Sequence, residues 1–277
     1  MPILVTSPRN QTWRRANASY PSVFMNLAID EAMARTFSAG EQTQPSIRIW
    51  SNSKSVVVGR FQEAAAEVNL ELCKMRNVNV ARRFTGGGTV FQDEGTLNFT
   101  ILNAPVYSIS KLQEINLGVV MHALTSLGAP CSLSLPNSIL IAGRKVCGAS
   151  AAVGRRFALW HCSILLDADL RLLELTLAPS KSKRISEFVR SRWQPVTTVA
   201  NSLSRRISGE EMARSLEHSL ETLFGVEFEA NKTFQEEERC ARVLFAQKYS
   251  RDEWNLYGNR GFIPGERTGA DHTTIAV

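Results

Sequence analysis

VNVARRFTGGGTVFQDEGTLNFTIL, residues 78–102, decides how the fold is read. Residues 78–81 read as a strand leading toward the glycines. Gly86, Gly87 and Gly88 interrupt the pattern. Residues 89–91 and 98–102 then read as two more strands around the turn Glu94-Gly95. Outward from this stretch, residues 47–50, 55–58, 139–142, 145–148 and 158–166 also read as strands, the first two joined by Ser51-Asn52-Ser53. Residues 22–37 read as an amphipathic helix, with Met25, Ile29, Met33 and Phe37 at four-residue spacing. Residues 70–76, 110–127 and 169–177 read as further helices. Ser208 with Glu211, and Thr233 with Glu236, have the spacing of capping boxes, opening helices to about Phe224 and Lys248. Strands and helices mix without strict alternation, and hairpins are frequent. The expected class is therefore α+β, with mixed, mainly antiparallel sheets and flanking helices.

The chain has 277 residues, with 32 Lys and Arg against 26 Asp and Glu, a net charge of +6. Hydrophobic residues at 44% and charged residues at 21% exclude global disorder. No apolar run approaches the roughly 18 residues of a membrane span. The start lacks the charge pattern and cleavage site of a secretory signal. Cys73, Cys131, Cys147, Cys162 and Cys240 form no CxxC pair, which fits reduced thiols in a cytoplasmic protein. The modest charge makes nucleic acid a weak expectation, an acidic protein partner or a phosphate-bearing ligand explains it equally well, and no nucleic-acid or membrane partner is expected.

Two segments carry chemistry. In Arg82-Arg83-Phe84-Thr85-Gly86-Gly87-Gly88-Thr89-Val90-Phe91, glycines allow close backbone approach and free N–H groups make an anion site. The arginines add planar donors suited to phosphate. The segment matches neither GxxxxGK[ST] nor GxGxxG, and a glycine triplet also serves as a plain turn. The second segment, Gly143-Arg144-Lys145-Val146-Cys147-Gly148-Ala149-Ser150, is a hairpin with a lysine opening the returning strand. On its own, that lysine reads as a solvated turn residue.

Together the two segments resemble the lipoate–protein ligase family. The shared pattern includes Arg82-Arg83-x-Thr85-Gly86-Gly87-Gly88-x-Val90-Phe91-x-Asp93-x-Gly95-x-x-Asn98 and Gly143-Arg144-Lys145-x-x-Gly148-Ala149. It extends from Asn26-Leu27-Ala28-x-Asp30-Glu31-Ala32, through Leu159-Trp160-His161, Leu165-Leu166-x-x-Asp169-Leu170 and Val189-x-Ser191-Arg192, to Tyr249-Ser250-x-x-Glu253-Trp254-Asn255.

The resemblance implies a mixed sheet with flanking helices, shared with biotin ligases. It implies activation of lipoate by ATP with Mg²⁺, then transfer from lipoyl-AMP to a lysine of a lipoyl domain. That domain would belong to a 2-oxoacid dehydrogenase or a glycine-cleavage carrier protein. Arg83, Gly86, Gly87, Gly88, Thr89, Val90, Phe91, Asn98, Gly148 and Ala149 match substrate- and ATP-binding positions. Lys145 matches the lysine that touches both lipoate carbonyl and phosphate, and is the expected catalytic residue. Leu27, Val57, Phe91 and Val146 are candidate walls for the acyl chain or plain core.

The chain departs from the family pattern in places. Gln92 stands where many members have histidine. Asn137 is followed by Ser138 where an aspartate usually helps hold Mg²⁺-ATP, leaving Asn137 as the candidate near any metal. Residues 1–255 are expected to form one catalytic domain and 256–277 a loose tail, with no accessory domain after the Glu-Trp-Asn motif. A separate small accessory subunit is therefore expected. Cys131, 14 residues before Lys145, supports an alternative, an octanoyl or lipoyl transferase with a cysteine nucleophile. A non-catalytic lipoyl-domain-binding protein is a third reading. Lys181, Lys183, Arg184, Arg190 and Arg192 form a solvated face, a nucleotide-side loop or a landing site for an acidic lipoyl domain.

Overall fold

The computed structural model describes residues 11–16, 19–177, 189–229 and 234–258. Its strands are β1 (Thr12–Arg15), β2 (Ser46–Trp50), β3 (Ser55–Val58), β4 (Asn79–Arg82), β5 (Val90–Gln92), β6 (Thr96–Asn103), β7 (Cys131–Ser134), β8 (Ser138–Ile141), β9 (Arg144–Val153), β10 (Ala158–Leu165) and β11 (Glu227–Glu229). The helices are α1 (Val23–Ala39), α2 (Ala64–Glu67), α3 (Leu70–Met75), α4 (Ile109–Ser126), α5 (Leu170–Thr176), α6 (Val199–Leu203), α7 (Gly209–Phe224), α8 (Gln235–Leu244) and α9 (Asp252–Asn255). A π-helical turn, Phe245–Tyr249, joins α8 to α9. Thr233, residues 181–184 and the tail beyond 258 lie outside the described residues. No helix among the described residues is long and apolar enough to cross a membrane.

Eight strands form one sheet in the order β11-β1-β2-β6-β10-β9-β8-β7, and three form a smaller sheet, β4-β3-β5. β1 runs parallel to β11 and β2, and β3 parallel to β4; every other pairing is antiparallel. The expected α+β class with mainly antiparallel sheets holds.

Two expected strand pairs do not form. β2 and β3 lie in different sheets, and so do β5 and β6. The turns at Ser51-Asn52-Ser53 and Glu94-Gly95 carry the chain between sheets instead of closing hairpins. Asn52 and Gln92 pin these two crossings together, with Asn52 Nδ2 donating to Gln92 Oε1 at 2.6 Å. Propensity identified the strands, but their partners depend on tertiary burial.

The centre of the large sheet is buried on both faces. Along β10 and β6, Trp160, Cys162, Ile164, Leu97, Phe99 and Ile101 face a core shared with α4 and α7. The intervening positions carry buried polar groups, Asn98, Thr100, His161 and Ser163. This polar face forms the floor of a cleft. Ser22 caps α1 by accepting from the Met25 N–H, and Gly40 closes it in the left-handed conformation. α1 is not the simple amphipathic helix that its spacing suggests. Its apolar side chains pack in one cluster with Leu102 and Leu159 of the large sheet and Leu244 of α8. Its buried Asn26, Asp30 and Glu31 have polar partners instead of solvent.

Candidate active site

β4 and β5 flank β3 on opposite sides, so the glycine loop between them must cross the end of β3. Arg83 shapes that crossing. Its Nη1 donates to Val57 O, its Nη2 to Gly86 O at 2.5 Å and Gly88 O at 2.7 Å, and its Nε to Thr85 Oγ1. Ser150 Oγ donates to Gly86 O from β9. Gln62 and Ser191 hold the other end, with Thr89 N–H donating to Ser191 Oγ at 2.9 Å. Arg82 turns the other way. Its guanidinium donates to carbonyls of Gly59, Arg60, Gln62, Trp254 and Leu256, tying the C-terminal segment beneath the loop. Neither arginine chiefly offers its donors to a ligand, as their placement in sequence suggested; most are spent on carbonyls.

Burial lowers both guanidinium pKa values to about 10, with Arg82 adding to the effect on Arg83. Neither has an ion-pair partner among the described residues. Two buried cations met by carbonyl and hydroxyl dipoles leave a positive field beneath the loop.

Lys145 adds to that field. The β8–β9 turn places Ala142 at φ 48° and Gly143 at φ 75°, the paired positive values of a tight two-residue hairpin. Lys145, the second residue of β9, is anchored through its N–H to Pro195 O and its carbonyl to Thr197 N–H. Its ammonium folds over Gly148. A Cβ at Gly148 would stand 2.8 Å from Lys145 Cε and 3.0 Å from Nζ, so glycine makes room for the lysine. Burial pulls Lys145 below the ordinary lysine pKa, Cys147 opposes this and Arg83 adds to it.

Two cavities meet at Lys145, of about 700 Å³ and about 850 Å³. The first is lined by Gly87, Gly88, Thr89, Val90, Asn98, Asn137, Lys145, Gly148 and Ala149, so the structure gathers most of the expected site. Leu27, Trp50 and Val57 supply an apolar wall. Among the described residues no Asp or Glu lines this cavity, while Arg83, Lys145, Arg190 and Arg192 do. Such a chamber suits an anion with an apolar body. Asn98 Nδ2 is a buried donor without a partner; Asn98 Oδ1 accepts from Gln92 Nε2 and Ser163 Oγ. Gln92 thus supplies a hydrogen bond at its departure position.

Some expected residues sit elsewhere. Gly86 lies behind the loop with its carbonyl occupied. Phe91 is 1% exposed in the small-sheet core, and with Val146 borders the second cavity, not the first. Cys131 borders neither cavity. Its thiol meets Thr125 Oγ1 at 3.6 Å and Met121 O at 3.7 Å, and burial raises its pKa. The half-buried Cys131 thiol lies outside both cavities, which weighs against the nucleophile reading.

Asn137 Oδ1 accepts from Ser138 Oγ, and its carbonyl accepts from Ala149 N–H. Among the described residues no three or more His, Cys, Asp or Glu gather to hold a metal. Magnesium sites use carboxylates alongside phosphates. Among the described residues the first cavity offers a magnesium ion no carboxylate, and the second offers Glu67 and Glu174.

Sequence reasoning passed over Ser150, Gln62 and Trp50, whose roles emerge only from long-range packing. His161 was visible in sequence only as part of the Leu159-Trp160-His161 motif, without its partners. Its Nδ1 meets Asp30 Oδ2 at 2.9 Å, and its Nε2 meets Thr85 Oγ1 at 2.8 Å. Burial alone would raise Asp30, but Arg48 and His161 outweigh it and hold the carboxyl below its ordinary pKa.

The sequence model of the lipoyl protein ligase A/B catalytic domain matches residues 22–221. Lipoate-protein ligase A subunit 1 of Thermoplasma acidophilum is 30% identical over 243 residues, covering 84% of this chain and 91% of that protein. A bipartite lipoate protein ligase of the same organism, from a structural analysis of an archaeal lipoylation system that includes its E2 lipoyl domain, superposes with a TM-score of 0.80. It is 28% identical and covers 92% of this chain and 100% of that one. A lipoate-protein ligase A bound with ATP gives a TM-score of 0.78 at 28% identity, covering 89% and 99%. The chain, with its arginine-shaped glycine loop and its lysine folded over Gly148, belongs to the lipoyl protein ligase A/B catalytic domain family.

Proposed function

We propose that this chain is the catalytic subunit of an ATP-dependent lipoate–protein ligase, acting with a separate small subunit on a lipoyl domain. The observation that carries the proposal is a first cavity with an apolar wall and, among the described residues, no carboxylate, which meets a second cavity at Lys145. Lipoate has an apolar body and one carboxylate, and fits the first chamber along Leu27, Trp50 and Val57. ATP is the second substrate, and its phosphates approach the junction at Lys145.

A carboxylate and a triphosphate repel each other, so joining them needs positive charge where they cross. Lys145 supplies it directly, and the Arg83-shaped loop offers N–H groups of fixed orientation. The carboxylate oxygen attacks the α-phosphorus, and pyrophosphate leaves with the bonding pair. In the second step the amine of the acceptor lysine attacks the acyl carbon. AMP departs, the amine loses a proton, and Lys145 stabilises the charge left on phosphate. Magnesium would enter with the phosphates of ATP instead of occupying a protein site of its own.

The bipartite assembly and the lipoyl-domain acceptor are supported by the Thermoplasma relatives. Residues 1–255 act as one catalytic unit in this reading. The five cysteines are all free thiols, which suits a cytoplasmic enzyme. Lipoate-dependent release of pyrophosphate from ATP tests the first step; its absence with the second subunit present would overturn the proposal.

A further inference from the structure

Asp30 lies on α1, behind the cleft floor, and is fully buried. Thr85, at the start of the glycine loop, is also fully buried and does not line the first cavity. Neither occupies a place where it would touch a substrate. His161 on β10 stands between them, bonded to both.

The Asp30 carboxylate fixes the direction of the first bond. A carboxylate accepts only, so the Nδ1 of His161 carries a proton toward Asp30. In the tautomer that carries its proton on Nδ1, Nε2 accepts a hydrogen bond from the Thr85 hydroxyl. The Thr85 oxygen keeps a lone pair free toward the loop, and Arg83 Nε–H donates into it at 3.1 Å. The same guanidinium holds the carbonyls of Gly86 and Gly88. Asp30 is itself fixed by Arg48 Nη1 at 2.6 Å and by Thr100 Oγ1.

We propose that Asp30 and Thr85 are positioning residues for the glycine loop, acting through His161 to set the orientation of the Arg83 guanidinium. The role in catalysis rests on the ligase reading above; the control of loop geometry does not. Removing the Thr85 hydroxyl frees Arg83 to rotate, and the loop carbonyls lose their shared donor. The backbone N–H groups of Gly87 and Gly88 then lose the aim on which transition-state stabilisation depends.

The test compares Thr85→Val, Thr85→Ser, Asp30→Asn and the Asp30→Asn/Thr85→Val double variant, each assembled with the second subunit. Lipoyl transfer is measured at saturating ATP with lipoate varied, and amide hydrogen exchange is followed across residues 84–91. Thr85→Val is expected to lower kcat by about tenfold or more and to speed exchange in the loop. Thr85→Ser keeps the hydroxyl and is expected to retain activity within about threefold of the parent, with unchanged exchange. Asp30→Asn and Thr85→Val interrupt one relay, so the double variant should lose little more than the worse single. A Thr85→Ser protein as impaired as Thr85→Val, or multiplicative losses in the double variant, would overturn the proposal. Unchanged loop exchange in Thr85→Val would do the same. If Asp30→Asn fails to fold, the Thr85 pair still decides. If the parent protein transfers nothing, the ligase reading fails, and loop exchange in the Thr85 pair still decides the relay.

Discussion

The Lys145 ammonium lies over Gly148, with room for a hydrogen there but not a methyl group: a Cβ at 148 would stand 2.8 Å from Lys145 Cε. The obstructing atoms are the flexible end of a side chain, so the lysine can swing away without disturbing the sheet. Gly148→Ala should therefore leave the melting midpoint nearly unchanged while cutting lipoyl transfer by about tenfold or more. Steady-state kinetics beside a thermal melt check this, and a fully active Gly148→Ala protein would place the working lysine elsewhere.

Lys145 is held below its ordinary pKa, chiefly by burial. Its protonated form is thus less favoured in the folded chain than in the unfolded one. The unfolded chain binds more protons between the two pKa values, so stability rises with pH in that window. The penalty is present in full below the folded pKa and vanishes as pH passes the ordinary value of 10.5. Lys145→Met should consequently melt higher than the parent at neutral pH, with the gap closing toward pH 10.5. Added ATP should raise the parent's midpoint more than the variant's. Melting curves across the pH series would contradict the account if Lys145→Met were the less stable protein at neutral pH.

Arg82 serves the fold instead of the reaction. It gathers carbonyls from the segment after β3 and from Trp254 and Leu256, and Trp254 Nε1 returns a bond to Arg82 O at 2.8 Å. Arg82→Ala strands several buried acceptors and should cost about 3 kcal/mol or more. For a chain of this size that lowers the melting midpoint by about 6–12 °C. Denaturant titration measures it directly, and a loss below about 1 kcal/mol would mean that the clamp is redundant.

Cys131 offers a clean contrast. It lies outside both cavities, with its thiol bonded to neighbours. Cys131→Ser should transfer lipoyl groups within about twofold of the parent. Loss of transfer, with an acyl thioester on Cys131 in intact-mass spectra of the parent, would revive the transferase reading.

Much of this site was legible in the sequence because its parts are local. The Ala142-Gly143 turn, the lysine after it, and the glycine triplet announce themselves by residue type. The cap at Ser208 was legible for the same reason. Sheet membership was not, because the Asn52–Gln92 bond that joins the crossings links residues 40 apart. The direction of Arg82 and Arg83 was also hidden. Two adjacent arginines before glycines look like phosphate ligands, and only the crossing of β3 shows that carbonyls take most of their donors. The short strand β1 and the edge strands β7 and β11 gave too little periodicity to read.

The most direct measurement is the intact mass of a lipoyl domain incubated with ATP, magnesium, lipoate and the second subunit, with either the parent chain or Lys145→Ala. The account predicts a lipoyl adduct on one lysine with the parent chain, and a rate lower by about 100-fold or more with Lys145→Ala. An unmodified domain with the parent chain, or equal rates for the two proteins, would contradict it.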